Sequence, residues 1–380
     1  MILFAFYSSL HSLFTVFQNG EVANTIAHVA TLVIGLCVYF SSTYYGELFQ
    51  ELKYYRTFLI SLILAFVPLI ILGDLQLINQ FSGKLSFVNN ITSFFAQNVY
   101  DKRIQGVSGE PSWAMLHILT GLVLFLFFLR GKKSLFILTV IINLIILFVC
   151  SFSFYGYLVL GFSLILYMIF TKKVKNLFLG VLILLVLFIG LKLILLDSGI
   201  SNYSINRFSK LSNITSFKDV LFLDGSFFVR ITFPLIGFIE FIRHPIFGLG
   251  GGNSYLEFKQ ILLSYFPEGI KYPEVYFNAF INNKVFTPRN LFSKILAEEG
   301  IIGITLFLGF LITFYKKFCK GNISVFTFFL VIAIFLNFDS YATIDCWLLL
   351  GLIKSGFFDR GLNVERKNSI YQHNFPVSNG

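Results

Sequence analysis

Arg230, Arg243, His244 and Arg289 gather in one polar stretch of the chain, interspersed with glycines at 248, 250, 251, 252, 300 and 303. Guanidinium groups present planar forks of donors that match phosphate oxygens, so two or three converging at a membrane boundary would suit a diphosphate head group. Their attraction is strongest where headgroup water is partly excluded. Arg230 stands in the otherwise apolar run Ser226 to Leu235. A guanidinium desolvated alone is costly, so this one calls for an anion or a dense set of acceptors. Arg243 has two readings, an anion-binding group or the ion-pair partner of Glu240, three residues before it. The glycine run after His244 permits tight turns and exposed amides that cradle phosphate oxygens. No Gly-Lys-Ser or Gly-Lys-Thr follows it, so it is not the phosphate loop of nucleotide enzymes.

A second group lies upstream in Asp101-Lys-Arg103 and Gly109-Glu110-Pro111-Ser112-Trp113, with His117 beyond. Pro111 suits a first helical turn, and the dipole of the incoming helix stabilises a carboxylate at Glu110. Glu110 is therefore either a cap or a working carboxylate. His117, two turns on along the same face, is either a second functional group or a polar residue satisfied between helices. Asp339, Asp345 and Lys192 fall near span ends, where snorkelling to water or support of the large loop accounts for them.

The elements that must position these residues are membrane helices. Apolar residues make up 56% of the 380-residue chain and charged residues 13%, with a mean hydropathy of +0.80. Such a balance excludes a soluble globular domain, and apolar runs long enough to span a bilayer recur throughout. The spacing predicts an all-α polytopic integral membrane protein with about ten transmembrane helices and one large external loop. Helices are expected over 2–17, 24–41, 57–73, 112–129, 134–151, 155–171, 176–196, 300–315, 323–338 and 341–357. Residues 1–196 then form seven spans with an external segment at 74–111, residues 197–299 the large loop, 300–357 three more spans, and 358–380 a tail.

The net charge of +10 does not imply a nucleic-acid partner, because the excess sits in short loops between apolar runs. Arg130-Gly-Lys132-Lys133, Lys172-Lys173-Val-Lys175, Lys316-Lys317-Phe-Cys-Lys320 and the tail with Arg360, Arg366 and Lys367 share one side by helix parity. That side is the cytoplasm, which makes both termini cytoplasmic and the 74–111 and 197–299 segments external. The region 197–300 holds ten Lys or Arg against nine Asp or Glu, and a long translocated loop need not obey the charge bias. The first apolar run lacks a basic leader and a cleavage site, so it reads as a retained helix. Four cysteines in no ligand-like spacing point to neither a disulfide framework nor zinc, and no cofactor is expected.

Arg103 with Gly109-Glu110-Pro111-Ser112, Ser151-Phe-Ser153-Phe-Tyr-Gly156, Arg230 with the block Arg243-His-Pro-Ile-Phe-Gly-Leu-Gly250, and Arg289-Asn290 with Glu299-Gly-Ile-Ile-Gly303 together carry a resemblance. The chain resembles the O-antigen polymerase and ligase superfamily of bacterial inner-membrane glycosyltransferases, which use polyprenyl-diphosphate-linked sugars. Ligases of that superfamily commonly place a His before the Asn of the last motif, where Arg289 stands here. Many members carry Ser-Arg-Gly after the paired serines, where Phe154-Tyr155-Gly156 stands. With the Gly-Glu-Pro-Ser motif, the resemblance implies the polymerase branch, making O antigen or capsule. The alternatives are a ligase that transfers finished glycan and a non-enzymatic glycan-lipid transporter.

The resemblance further implies that lipid-linked glycans are both donor and acceptor, in contact with membrane lipids, and it leaves open a chain-length regulator as a further partner. Arg230, Arg243 and Arg289, with Arg103 beside them, would bind the leaving diphosphate in place of a metal ion. Glu110 is the first candidate to activate the acceptor hydroxyl and His244 the second.

Overall fold

The computed structural model describes every residue except 21, 97–98, 100–103, 132–133, 152, 172–224, 282–284 and 360–380. The described helices are α1 (Ile2–Asn19), α2 (Val22–Leu48), α3 (Leu52–Ser82), α4 (Phe87–Phe95), α5 (Pro111–Gly131), α6 (Leu135–Cys150) and α7 (Phe154–Thr171). After the undescribed stretch come α8 (Gly225–Arg243), α9 (Tyr255–Tyr265), α10 (Pro273–Tyr276), α11 (Leu291–Phe318), α12 (Asn322–Phe335) and α13 (Ile344–Lys354).

The protein is a multi-pass, all-α membrane protein, but the expectation of about ten spans is corrected. Among the described residues five helices are long and apolar enough to cross a bilayer: Val22–Leu48, Tyr54–Gln80, Pro111–Leu129, Gly225–Arg243 and Leu291–Phe318. A sixth arises if α6 and α7, bent by 116° at their junction, form one broken span. The physical reason is length. An apolar run is not yet a helix, and α13, with 11 residues, rises only about 16 Å against a hydrocarbon core of about 30 Å. α12, with 14 residues, falls short for the same reason, and the apolar helix Ile2–Phe17 is also short. The span expected at 176–196 lies outside the described residues.

In the other direction, α8 is a 19-residue apolar helix inside the stretch read as external loop. Arg230, Pro234 and Glu240 interrupt its hydropathy without breaking the helix. The helix expected over 300–315 also begins earlier. α11 starts at Leu291, and Gly300, read as the start of a span, is a break within it with φ 63° and ψ −159°.

Two compact units divide the chain. The first comprises Met1–Val38, Tyr203–Lys317 and Ile332–Ile344, and the second Tyr39–Asn202, Phe318–Val331 and Asp345–Gly380.

In the first unit, α1 is built the opposite way from a soluble amphipathic helix. Phe4, Ser8, Ser12 and Thr15, at steps of four, four and three, form its buried stripe, while Phe6, Leu10, Leu13, Phe14 and Phe17 stay exposed. An apolar outer face and a hydroxyl-bearing inner seam suit a helix with lipid on one side and polar groups on the other. Thr25, His28 and Leu32 make the matching buried stripe of α2. A separate core joins α8 to α9 and α10 through Phe228, Phe233, Ile236, Phe258, Ile261, Leu262 and Val275. Its centre is the edge-to-face pair of Phe233 and Phe258, whose ring centroids are 4.7 Å apart.

In the second unit, α5 packs against α3, α6 and α7. Gly121 and Gly156 lie against Phe66 and Met115, so these glycines permit close helix packing. Gln76 anchors the chain before α5: its side-chain carbonyl accepts the amides of Gln105 at 3.0 Å and Gly106 at 2.9 Å, and its NH2 donates to Thr92 Oγ1.

Candidate functional site

The two motif segments at 243–252 and 289–303 are joined through their backbones in the first unit. Gly300 turns the chain of α11 so that its Ile301 amide leaves the helical ladder and donates to Pro245 O at 2.9 Å. The carbonyls this frees accept from the loop: Leu249 N to Ala297 O at 2.9 Å and Gly250 N to Glu298 O at 2.8 Å. Gly248, Gly250 and Gly252 all have positive φ, which lets the loop run this close to the helix. Gly251 lies directly against Ser12 and His28, and Gly250 against Thr15, so the same loop is pressed onto the inner seams of α1 and α2.

This docking encloses a chain of ionisable groups that the sequence did not reveal. Glu298 and Glu299 are fully buried, and two imidazoles face them. His11 Nδ1 is 3.2 Å from Glu299 Oε2. Ser8 Oγ donates a short hydrogen bond to Glu299 Oε1 and lies 2.9 Å from His28 Nε2. A hydroxyl has one proton; having given it to Glu299, Ser8 accepts from His28, which therefore carries hydrogen on Nε2. His28 Nδ1 sits 3.2 Å from Glu298 Oε2, off the line of a hydrogen bond, so those two atoms attract as charges only. Glu298 Oε1 takes a hydrogen bond from Ser254 Oγ at 2.9 Å. Two buried carboxylates thus face two imidazoles and two serine hydroxyls within one linked path, whose hydrogen bonds offset part of the cost of burying them. Among the described residues no group of three or more His, Cys, Asp or Glu side chains is arranged to hold a metal ion.

The residues singled out from the sequence have these positions. Arg243 and His244 are brought together by Glu257 of α9: Arg243 Nη1 reaches Oε2 at 2.9 Å and His244 Nε2 reaches Oε1 at 2.7 Å. Arg243 is hydrogen-bonded to Glu257 rather than to Glu240, whose buried oxygens have no hydrogen-bond partner. Arg230 donates to Ser226 Oγ one turn earlier in α8. Arg289 is exposed, and its amide donates to Asp339 Oδ2 at 3.2 Å. It is the one non-glycine with positive φ among the described residues, at 56°.

Glu110 belongs to the second unit. Its carbonyl accepts the Trp113 and Ala114 amides at the start of α5, and its exposed carboxylate accepts from Ser112 Oγ at 3.2 Å. His117 pairs with Asp345 at 3.0 Å in that unit, the satisfied polar contact that was one of its two readings. Arg103 lies outside the described residues.

Glu257 is the hinge of the exposed group. Partial burial pushes its carboxyl up, but hydrogen bonds from His244 and Arg243 outweigh this and hold it below the usual carboxylate range. A depressed folded-state value stabilises the fold above the unfolded-state value, and that contribution is lost as pH falls through the folded one. Glu257→Gln is therefore expected to lower the melting temperature of the detergent-solubilised protein at roughly pH 5, with the gap closing toward roughly pH 3. A gap of constant size across that range would show that the ion pairs contribute nothing.

The signal for the buried cluster was present in the spacing of Ser8, Ser12 and Thr15 on an otherwise apolar helix, with His11 beside them. The chain matches no protein-family model and no curated protein resembles it significantly, so the reading of this site stands on its own residues.

Proposed function

We propose that this protein is a membrane glycosyltransferase that polymerises oligosaccharide repeat units carried on polyprenyl diphosphate, building a bacterial surface polysaccharide such as O antigen or capsule. One observation carries the reading. The segments Arg243–Gly252 and Arg289–Gly303, which hold the more specific part of the sequence resemblance, are hydrogen-bonded to each other through Pro245, Leu249, Gly250, Ala297, Glu298 and Ile301. Segments that form one rigid element give arginines from distant positions a common base. The strained backbone at Arg289 supports the same reading, since such strain persists where surrounding structure enforces it for a purpose.

In this reading the protein lies in the bacterial inner membrane with both termini cytoplasmic and the motif-bearing region outside. The growing glycan on its lipid diphosphate is the donor, and a fresh lipid-linked unit is the acceptor. An acceptor hydroxyl attacks the anomeric carbon through an oxocarbenium-like transition state, and the diphosphate leaves. Arg230, Arg243 and Arg289 bind the charge growing on that diphosphate more tightly than they bind the ground state. Arg243 is already oriented for this by Glu257.

The test is reconstitution in liposomes with the polyprenyl-diphosphate-linked repeat extracted from cells lacking this protein. A ladder of longer lipid-linked products is expected. Unchanged product length with movement across the bilayer would mean a transporter, and transfer to a different acceptor at unchanged glycan length a ligase; either overturns the polymerase reading.

A further inference from the structure

We propose that His11 is the group that takes the proton from the attacking acceptor hydroxyl, with Glu299 as its positioning residue; this rests on the polymerase reading above.

Three histidines lie in or beside the docked loop, and their surroundings differ in what they leave available. His28 has both ring nitrogens turned to the buried network, Nε2 toward Ser8 and Glu299 and Nδ1 toward Glu298. His244 has Nε2 committed to Glu257. His11 alone of the three turns Nδ1 to a buried carboxylate with that contact as its one hydrogen bond among the described residues, the side chain being 10% exposed where Glu299 is sealed.

A carboxylate only accepts, so Nδ1 opposite Glu299 carries the hydrogen and the lone pair is left on Nε2. The ring is held in that pose on two sides. Tyr7 stacks on it with centroids 5.7 Å apart and planes 6° from parallel, and Phe247 lies 6.2 Å from it. Tyr7 is itself fixed, donating its hydroxyl to Glu299 O at 3.1 Å. Phe247 belongs to the loop that follows Arg243 at the end of α8, and with Ile246 it forms an exposed apolar lip beside the ring. The base, on α1, is thereby held against the loop that follows one of the diphosphate-binding arginines.

The step balances. The acceptor oxygen forms a bond to the anomeric carbon as the bond from that carbon to the diphosphate oxygen breaks, and its electron pair leaves with the diphosphate. The hydroxyl proton passes to His11 Nε2. The imidazolium so formed lies against the Glu299 carboxylate, which stabilises it in place and keeps the ring from turning.

The liposome assay with the same extracted lipid-linked repeat tests this. His11→Ala is expected to lower elongation about 100-fold or more, and free imidazole to restore part of it, at least about tenfold, while leaving wild type and Arg289→Ala unimproved. His11→Gln, whose amide can still donate to Glu299, is expected to melt like wild type and elongate as poorly as His11→Ala. That second variant decides the matter if the alanine variant fails to fold. Elongation by His11→Gln within about threefold of wild type, or a folded His11→Ala that imidazole does not rescue, overturns the assignment while a wild-type ladder leaves the polymerase reading standing. A wild type that builds no ladder removes that reading and this one together.

Discussion

On the polymerase reading, Arg289→Gly is expected to abolish glycan elongation while leaving the protein at least as stable as wild type. Two effects that usually travel together are separated at this position. Arg289 holds φ at 56°, a conformation that costs a non-glycine residue about 1–2 kcal/mol and costs glycine almost nothing. Glycine gives back about 0.5–1 kcal/mol through the greater freedom of its unfolded chain. The exposed side chain adds little packing, and the amide that donates to Asp339 is kept by the substitution. The net effect on stability is near zero or favourable. The guanidinium, by contrast, is lost outright, and removing one preorganised donor from a developing oxyanion costs roughly 100-fold to 1000-fold in turnover. Arg289→Lys should fall between, because it keeps the charge and loses the planar fork. Melting temperature and elongation rate measured on the same preparations check both halves. A fully active Arg289→Gly would remove this residue from the diphosphate site.

Gly300→Ala is expected to be the most destabilising single-methyl change in the first unit. The combination of φ 63° and ψ −159° lies in a region that is essentially closed to residues with a side chain and costs about 1–3 kcal/mol there. The new Cβ would also overlap the carbonyl of Ile246, which is backbone and cannot swing away. Relief requires the loop to lift, breaking the bonds from Leu249, Gly250 and Ile301 at about 1 kcal/mol each. We expect a sharp fall in membrane-inserted yield and in the melting temperature in detergent. Gly309, further along α11 with open space around it, serves as the control, since Gly309→Ala should change little. Equal behaviour of the two variants would show that the break in α11 is not structurally required.

The membrane class and the helical architecture were legible in the sequence, because composition is a local signal. The number of spans was not. Hydropathy counts apolar residues without regard to where helical backbone begins, and so it credited α13 with residues from Tyr341 onward although the helix starts only at Ile344. It also passed over α8, where Arg230 and Glu240 lower the average along a helix that folds regardless. The His11–Glu299 and His28–Glu298 pairs were out of reach for another reason. Their members are joined only by the folding of α1 and α2 onto a helix far along the chain, and nothing in the neighbourhood of either glutamate announces a histidine. Arg243 illustrates the same limit on a smaller scale. Glu240 was its near neighbour on one helix, but Glu257, across the connection to α9, is the partner it bonds.

The interrupted ladder at Gly300 sets an order on biogenesis. Before residues 245–250 dock, α11 presents the bare carbonyls of Ala297 and Glu298 and the bare amide of Ile301, and wherever water is excluded each such group costs several kcal/mol. The helix is therefore best inserted after the preceding loop is in place to receive it. Once closed, the junction keeps all of these groups paired, which makes this loop a permanent staple of the folded protein.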